Sequence, residues 1–177
     1  MAILQPSGAK AGSADFERPY PPRITALSAD ATSFYAEFRA RPEFRDIGHS
    51  YVILGTVMAT GEMRETVVAG FMPKTADDDY WAQFGMPVAG LVGVVRSDFL
   101  RRPSDVRFRI AITKAQYYRA LETSRSLQST WSTYSLLTQN CNNFAGDIAS
   151  SLGLRTPMIT VQYPVDYIAE LRTLNSP

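Results

Sequence analysis

Val106-Arg107-Phe108-Arg109-Ile110-Ala111-Ile112, followed by Thr113-Lys114-Ala115-Gln116-Tyr117, is the stretch on which the fold turns. Its first half alternates apolar and charged residues, the two-residue period of a strand with one buried face. Its second half opens a helix. Thr113 and Gln116 have the spacing of a capping box, in which the threonine side chain accepts from the N–H three residues on and the glutamine reaches back. Tyr117, Leu121, Ser124 and Leu127 then share one face of a helix running to about Gln128.

Upstream of this switch the chain reads mainly as strands. Ala31 to Ala40 alternates, Arg41 to Asp46 is a turn region, and a new strand begins near Gly48. Thr60-Gly61 marks a hairpin turn, Arg64 to Gly70 the returning strand, and Val88 to Val95 a buried strand. Asp77 to Phe84 reads as a short helix or an ordered loop. Downstream, Tyr134 to Leu137 is a short apolar approach to Cys141. Phe144, Ala145, Ile148, Ala149 and Leu152 then recur at the helical period, with Gly153 placed as the residue after the cap and Pro157 preventing continuation. A last helix covers Val165 to Leu174. Antiparallel strands followed by helices predict an α+β fold, an antiparallel sheet or barrel packed against helices. Residues 1–22, rich in Pro, Gly, Ser and Ala, read as a flexible or surface-lying arm, and 23–177 as one domain.

Lys and Arg (18) nearly balance Asp and Glu (17) in a chain of 177 residues, for a net charge of +1. That balance gives no electrostatic reason to expect nucleic acid or an anionic membrane as partner. Arg96, Arg101, Arg102, Arg107 and Arg109 read as scattered solvated arginines rather than a binding face. One cysteine and one histidine exclude an internal disulfide and a Cys-rich metal centre, so no metal or cofactor is expected. Asp77-Asp78-Asp79 lacks the ligand spacing of a calcium loop. No segment is long and apolar enough to span a membrane. The N-terminus has no basic region followed by an apolar one, which points to a cytoplasmic protein; leaderless export would leave no mark in the sequence.

The two single residues are the candidate chemistry. Cys141 lies in Gln139-Asn140-Cys141-Asn142-Asn143-Phe144, where a loop becomes a helix. With Asn140 as the cap, Cys141 is the first helical residue, and the positive end of the helix favours a thiolate. Backbone N–H groups there, with Gln139 or Asn140, are candidate oxyanion donors, and Asn143 a candidate for orienting the loop or the base. His49 opens the strand Gly48-His49-Ser50-Tyr51-Val52-Ile53-Leu54. His49, Tyr51 and Ile53 share one face of it; Ser50, Val52 and Leu54 share the other. As sole histidine, His49 is the base that any Cys–His mechanism must use. Tyr51, Glu65 and Gln162 are candidates for a third, orienting group. The bland alternatives are a small buried cysteine, a capping asparagine and a histidine satisfied in the core.

Taken together, the His49 strand and the segment Tyr134 to Phe144 resemble the permuted papain-fold cysteine hydrolases. That group holds the PPPDE peptidases, lecithin:retinol acyltransferase-like proteins and permuted relatives of NlpC-type cell-wall peptidases. The Asn-Cys-Asn-x-Phe pattern is most similar to the PPPDE group and related bacterial proteins. The histidine precedes the cysteine here, which is the permuted order. The resemblance spans about Ile47 to Leu154. It implies a circularly permuted papain-like fold, Cys141 as nucleophile, His49 as general base and later acid, and an acyl-enzyme formed from a peptide, isopeptide or cell-wall amide. A second histidine, used as the orienting group in the acyltransferase-like branch, does not exist here. Residues 1–40 and 73–105 match nothing in the group. A protein inhibitor or partner would fit an exported hydrolase. The competing expectations are acyl transfer to a lipid or amine acceptor, which predicts an apolar trough beside the thiol, and an inactive binding module with an ordinary cysteine.

Overall fold

The computed structural model describes residues 19–42, 47–99 and 105–176. Among these, seven strands form one sheet: β1 (Arg23–Ile24), β2 (Ala31–Arg41), β3 (His49–Met58), β4 (Met63–Pro73), β5 (Val88–Gly93), β6 (Val106–Ile112) and β7 (Thr133–Tyr134). The helices are α1 (Ala76–Gln83), α2 (Lys114–Thr130), α3 (Cys141–Ser151) and α4 (Pro164–Asn175), with a 3-10 turn at Arg96–Phe99. The strand order is β6-β2-β3-β4-β5-β7, with β1 paired to β4 and every pairing antiparallel. The α+β expectation holds, and the barrel alternative does not. Among the described residues β6 pairs only with β2 and the two-residue β7 only with β5, so the sheet stays open.

Local chemistry sets the element ends. Thr113 accepts from the Gln116 N–H at 3.2 Å while Gln116 returns to the Thr113 N–H at 2.9 Å, the expected capping box. At the far end of α3, Gly153 takes φ +83°, a backbone angle that a side chain would strain. Gly48 does the same at φ +86°, turning the chain into β3. The segment expected as a helix or ordered loop is α1, capped by Thr75.

Strand register divides the sheet into two chemically different faces. Ala36 pairs with Leu54 and Phe38 with Val52, while across the next ladder Leu54 meets Val67 and Val52 meets Ala69. Because side chains alternate, these residues share one face, and α2, α3 and α4 cover it with Tyr117, Phe144, Ile148, Ile168 and Leu171. The opposite face carries Tyr35, Glu37, Arg39 and Arg41 from β2 beside His49, Tyr51 and Ile53 from β3. It is buried too. Glu37 bridges Arg39 and Arg109, and Arg41 Nε reaches Asp98 Oδ1 at 3.2 Å. Burial pushes the Glu37 carboxyl upward, but its bonds to Arg39 and Arg109 bring it below the usual carboxylate range. Tyr20 exchanges backbone hydrogen bonds with Val94 at 2.8 and 2.9 Å, so the end of the expected arm is pinned to the fold. Residues 1–18, residues 43–46 of the expected turn region, and Arg101 and Arg102 lie outside the described residues.

The contact between β5 and β7 has little tolerance. A Cβ at Gly90 would lie 2.5 Å from the Phe71 ring and 2.9 Å from the Tyr134 nitrogen. Gly90→Ala should lower stability by about 1–3 kcal/mol, the usual cost of overpacking, read as an earlier urea midpoint at unchanged m. A midpoint within error of the parent would show that β7 is free to move away.

Candidate functional site

Helix α3 begins where the sequence places it. Asn140 is the cap: its Oδ1 accepts from the N–H groups of Asn142 at 2.8 Å and Asn143 at 3.2 Å. Asn143 completes the box by accepting the Asn140 N–H at 2.9 Å. The Asn140 Nδ2 donates to the carbonyls of Leu136 at 2.8 Å and Thr160 at 3.3 Å. The cap thus engages the Asn142 and Asn143 N–H groups and the Asn140 amide, all candidate oxyanion donors, but not the Cys141 N–H. Gln139 is committed as well. With its amide oriented to satisfy both neighbours, it donates to the Thr133 carbonyl at 2.9 Å and accepts from the Trp131 indole at 3.0 Å.

Cys141, the first residue of α3, is buried, with 4% exposure. Its neighbour on β3 is Ser50, which donates to Asn142 Oδ1 at 2.9 Å. The orientation of that amide is fixed, because Asn142 Nδ2 donates to the carbonyls of Thr160 and Gln162, each at 3.0 Å. Burial raises the Cys141 pKa above the ordinary thiol value; contacts with Ser50 and with backbone N–H groups of Ser50, Asn142 and Cys141 pull the other way without prevailing. Tyr134 also touches the sulfur, and burial first, then the Cys141 and Asp79 charges, hold its phenol well above the usual range. Burial thus disfavours the thiolate at this position.

Cys141 nevertheless lines a cleft of about 330 Å³. Its walls are largely apolar, with Ile47, Leu136, Leu137, Val161, Tyr163 and Pro164 among them, and Tyr134, Asn140 and Asn142 beside the sulfur. The apolar character continues onto the surface, where Phe84, Met86, Met158 and Ile159 are exposed beside lining residues in the chain.

His49 is elsewhere. Ser50 points to α3, so His49, one residue earlier on the same strand, points to the opposite face of the sheet. Its ring stacks on Tyr51 at 6.0 Å, and its Nε2 lies 4.0 Å from Asp98 Oδ2 and would lie 2.6 Å from a Cβ at Gly70. Burial, then the Arg41 charge, holds its pKa well below the usual imidazole value. The expected pairing of Cys141 with His49 is therefore corrected by the sheet itself, which stands between them. Tyr51 stays beside His49, its hydroxyl near Arg39, and burial pushes its pKa up to about 12. Glu65 sits on β4 opposite Gly55, and Gln162 lines the cleft and bonds Glu170, so neither orients the imidazole. Sequence reasoning missed Ser50, Tyr134 and the structural part played by Asn142. The signal lay in Val52 and Leu54, whose apolar side chains commit the Ser50 face to the helices.

Among the described residues, no three His, Cys, Asp or Glu side chains gather into a metal-binding group, and no helix is long and apolar enough to cross a membrane. Comparison with known protein families, with curated proteins and with solved structures finds no match to this chain.

The position of His49 gives a pH dependence. The folded histidine holds its proton more weakly than the unfolded one, so stability is full above the unfolded pKa near 6.5 and is lost as pH falls. His49→Gln should remove close to one proton from the slope of unfolding free energy against pH just below about 6.5. Urea midpoints collected across that range test this. Parallel curves for parent and variant would place His49 in solvent.

Proposed function

We propose that this chain is a binding module whose cleft at the start of α3 receives an apolar side chain of a partner protein, with Cys141 as part of the cleft floor. The observation that carries the reading is the placement of Cys141 and His49 on opposite faces of β3. A Cys–His hydrolase needs a base within reach of the thiol. Here the sole imidazole is buried among Arg41, Tyr51 and Asp98, and the thiol's pKa is raised. The cleft has what binding asks for: concave, mostly apolar walls, a few fixed polar groups, and an exposed apolar rim that a partner would cover. The order of segments, a histidine strand before a cysteine helix, keeps the likeness to the permuted papain-like group. Within that likeness the chain uses the groove and not the dyad.

Two measurements test this. Iodoacetamide should alkylate Cys141 at pH 7.5 at least about tenfold more slowly than a free cysteine peptide, and His49→Ala should leave that rate unchanged. The neutral peptide acetyl-Gln-Leu-Leu-Gln-amide should shift NMR signals of Leu136, Cys141 and Val161 and remain intact. A fast thiol that His49→Ala slows, or cleavage of the peptide that depends on Cys141, would restore the hydrolase. No shift at the cleft would remove the binding reading.

One observation favours a second reading. The sulfur opens onto an apolar trough, the surrounding that acyl transfer to a lipid or amine acceptor requires. Under that reading Cys141 would take the octanoyl group from octanoyl p-nitrophenyl ester, forming a thioester and releasing p-nitrophenol. Intact-mass analysis should then find the acyl group on the parent and none on Cys141→Ala. An unmodified parent after hours would dismiss acyl transfer.

A further inference from the structure

We infer that the partner is a second copy of this chain, paired about a two-fold axis so that Phe84 of each copy enters the cleft of the other. This rests on the binding reading above and names the partner.

Of the fourteen large apolar residues exposed among the described residues, nine gather around this one cleft. Tyr80, Trp81, Phe84 and Met86 come from α1 and the turn that follows it. Leu137, Met158, Ile159, Val161 and Tyr163 come from the segments before α3 and α4, and all nine are at least half exposed. Half of an aromatic side chain is about 100 Å², so nine such residues leave roughly 900 Å² of apolar surface in water. The largest apolar patch on an ordinary monomer is about 300–600 Å², and a standard interface hides about 800 Å² on each partner. The patch is of dimer size.

A second copy fits because knob and socket lie on the same face. Phe84 stands between Gln83 and Gly85, which both line the cleft, yet its own ring is 67% exposed and takes no part in that lining. Gly85, at φ +78°, turns the chain just after it. The rings of Tyr80 and Trp81 lie 5.1 and 6.5 Å from that of Phe84. The knob is therefore ordered before docking and loses little freedom in it. The cleft holds about 330 Å³, and an apolar cavity of about 150 Å³ already admits a benzene ring. Rotation about a two-fold axis at the lip carries each ring to the other's cleft, the self-complementary contact on which a closed dimer rests. A bilayer could cover the same patch, but it makes no use of a knob set beside a socket. The net charge of +1 also gives anionic lipid little pull.

Sedimentation of the full chain tests this. The mass should climb from 19.6 kDa toward twice that value between about 1 and 300 µM and stop there. Over the same dilution series the NMR signals of Leu136, Cys141 and Val161 should move with the mass. Phe84→Ser alters an exposed ring and leaves the core untouched; it should weaken the dimer at least about thirtyfold, the loss expected of an aromatic anchor. An excess of acetyl-Gln-Leu-Leu-Gln-amide, which seeks the same cleft, should return the parent to monomer. A chain that stays monomeric at the top of the range while this peptide shifts the cleft signals would overturn the inference and leave the binding reading standing. If the peptide shifts nothing either, both fall. A monomer that instead floats with phosphatidylcholine vesicles would assign the patch to a bilayer and overturn the inference. So would a dimer that Phe84→Ser leaves intact, or a mass that grows past two copies, since a contact that does not close repeats without end.

Discussion

A single carboxamide organises the site. Asn142 accepts from Ser50 on β3 and donates to the carbonyls of Thr160 and Gln162, joining a strand, the helix start and the segment that leads into α4. That segment belongs to no strand or helix, and Asn140 adds a second bond to Thr160. Leaving such buried groups unmatched would cost about 1–3 kcal/mol each, so the asparagines determine where one wall of the cleft stands. The amides around a reactive-looking sulfur are here the framework of a groove.

The other constraint is the two-residue alternation of β3. Val52 and Leu54 belong to the apolar face under the helices, so Ser50 does too, and His49 goes with Tyr51 and Ile53. On that side it joins a layer of Glu37, Arg39, Arg41 and Asp98. A neutral imidazole suits a place beside Arg41, where a second buried cation would be costly. The histidine is a component of an ionic layer; the cysteine is a component of an apolar one.

Most of the architecture could be read from the chain because local chemistry and tertiary packing agree in it. The alternation of Val106 to Ile112, the Thr113–Gln116 box, the Asn140 cap and Gly153 each work within a few residues. The closure of the sheet could not be read, since it depends on which strands become edges, a property of pairings between distant segments. The site was half legible. Cys141 opens its helix as expected, and the separation of Ser50 and His49 onto two faces follows from the same alternation that predicted the strand. What rarity suggested, that the only thiol and the only imidazole must serve each other, has no physical force; side-chain direction does.

A sheet with an oily side and an ionic side resists mispairing in a way that a one-sided sheet does not. Sliding β2 by one residue against β3 would send Glu37 and Arg39 in among Phe144 and Ile148, and put Phe38 among carboxylates and guanidinium groups. Both errors are penalised at once, so the two faces themselves fix the register on which β6, more than sixty positions away from β2 in the chain, pairs. Once docked, β6 leaves Arg107 and Arg109 along the outer border of the sheet, where charge discourages another molecule from adding its own strand and starting an aggregate.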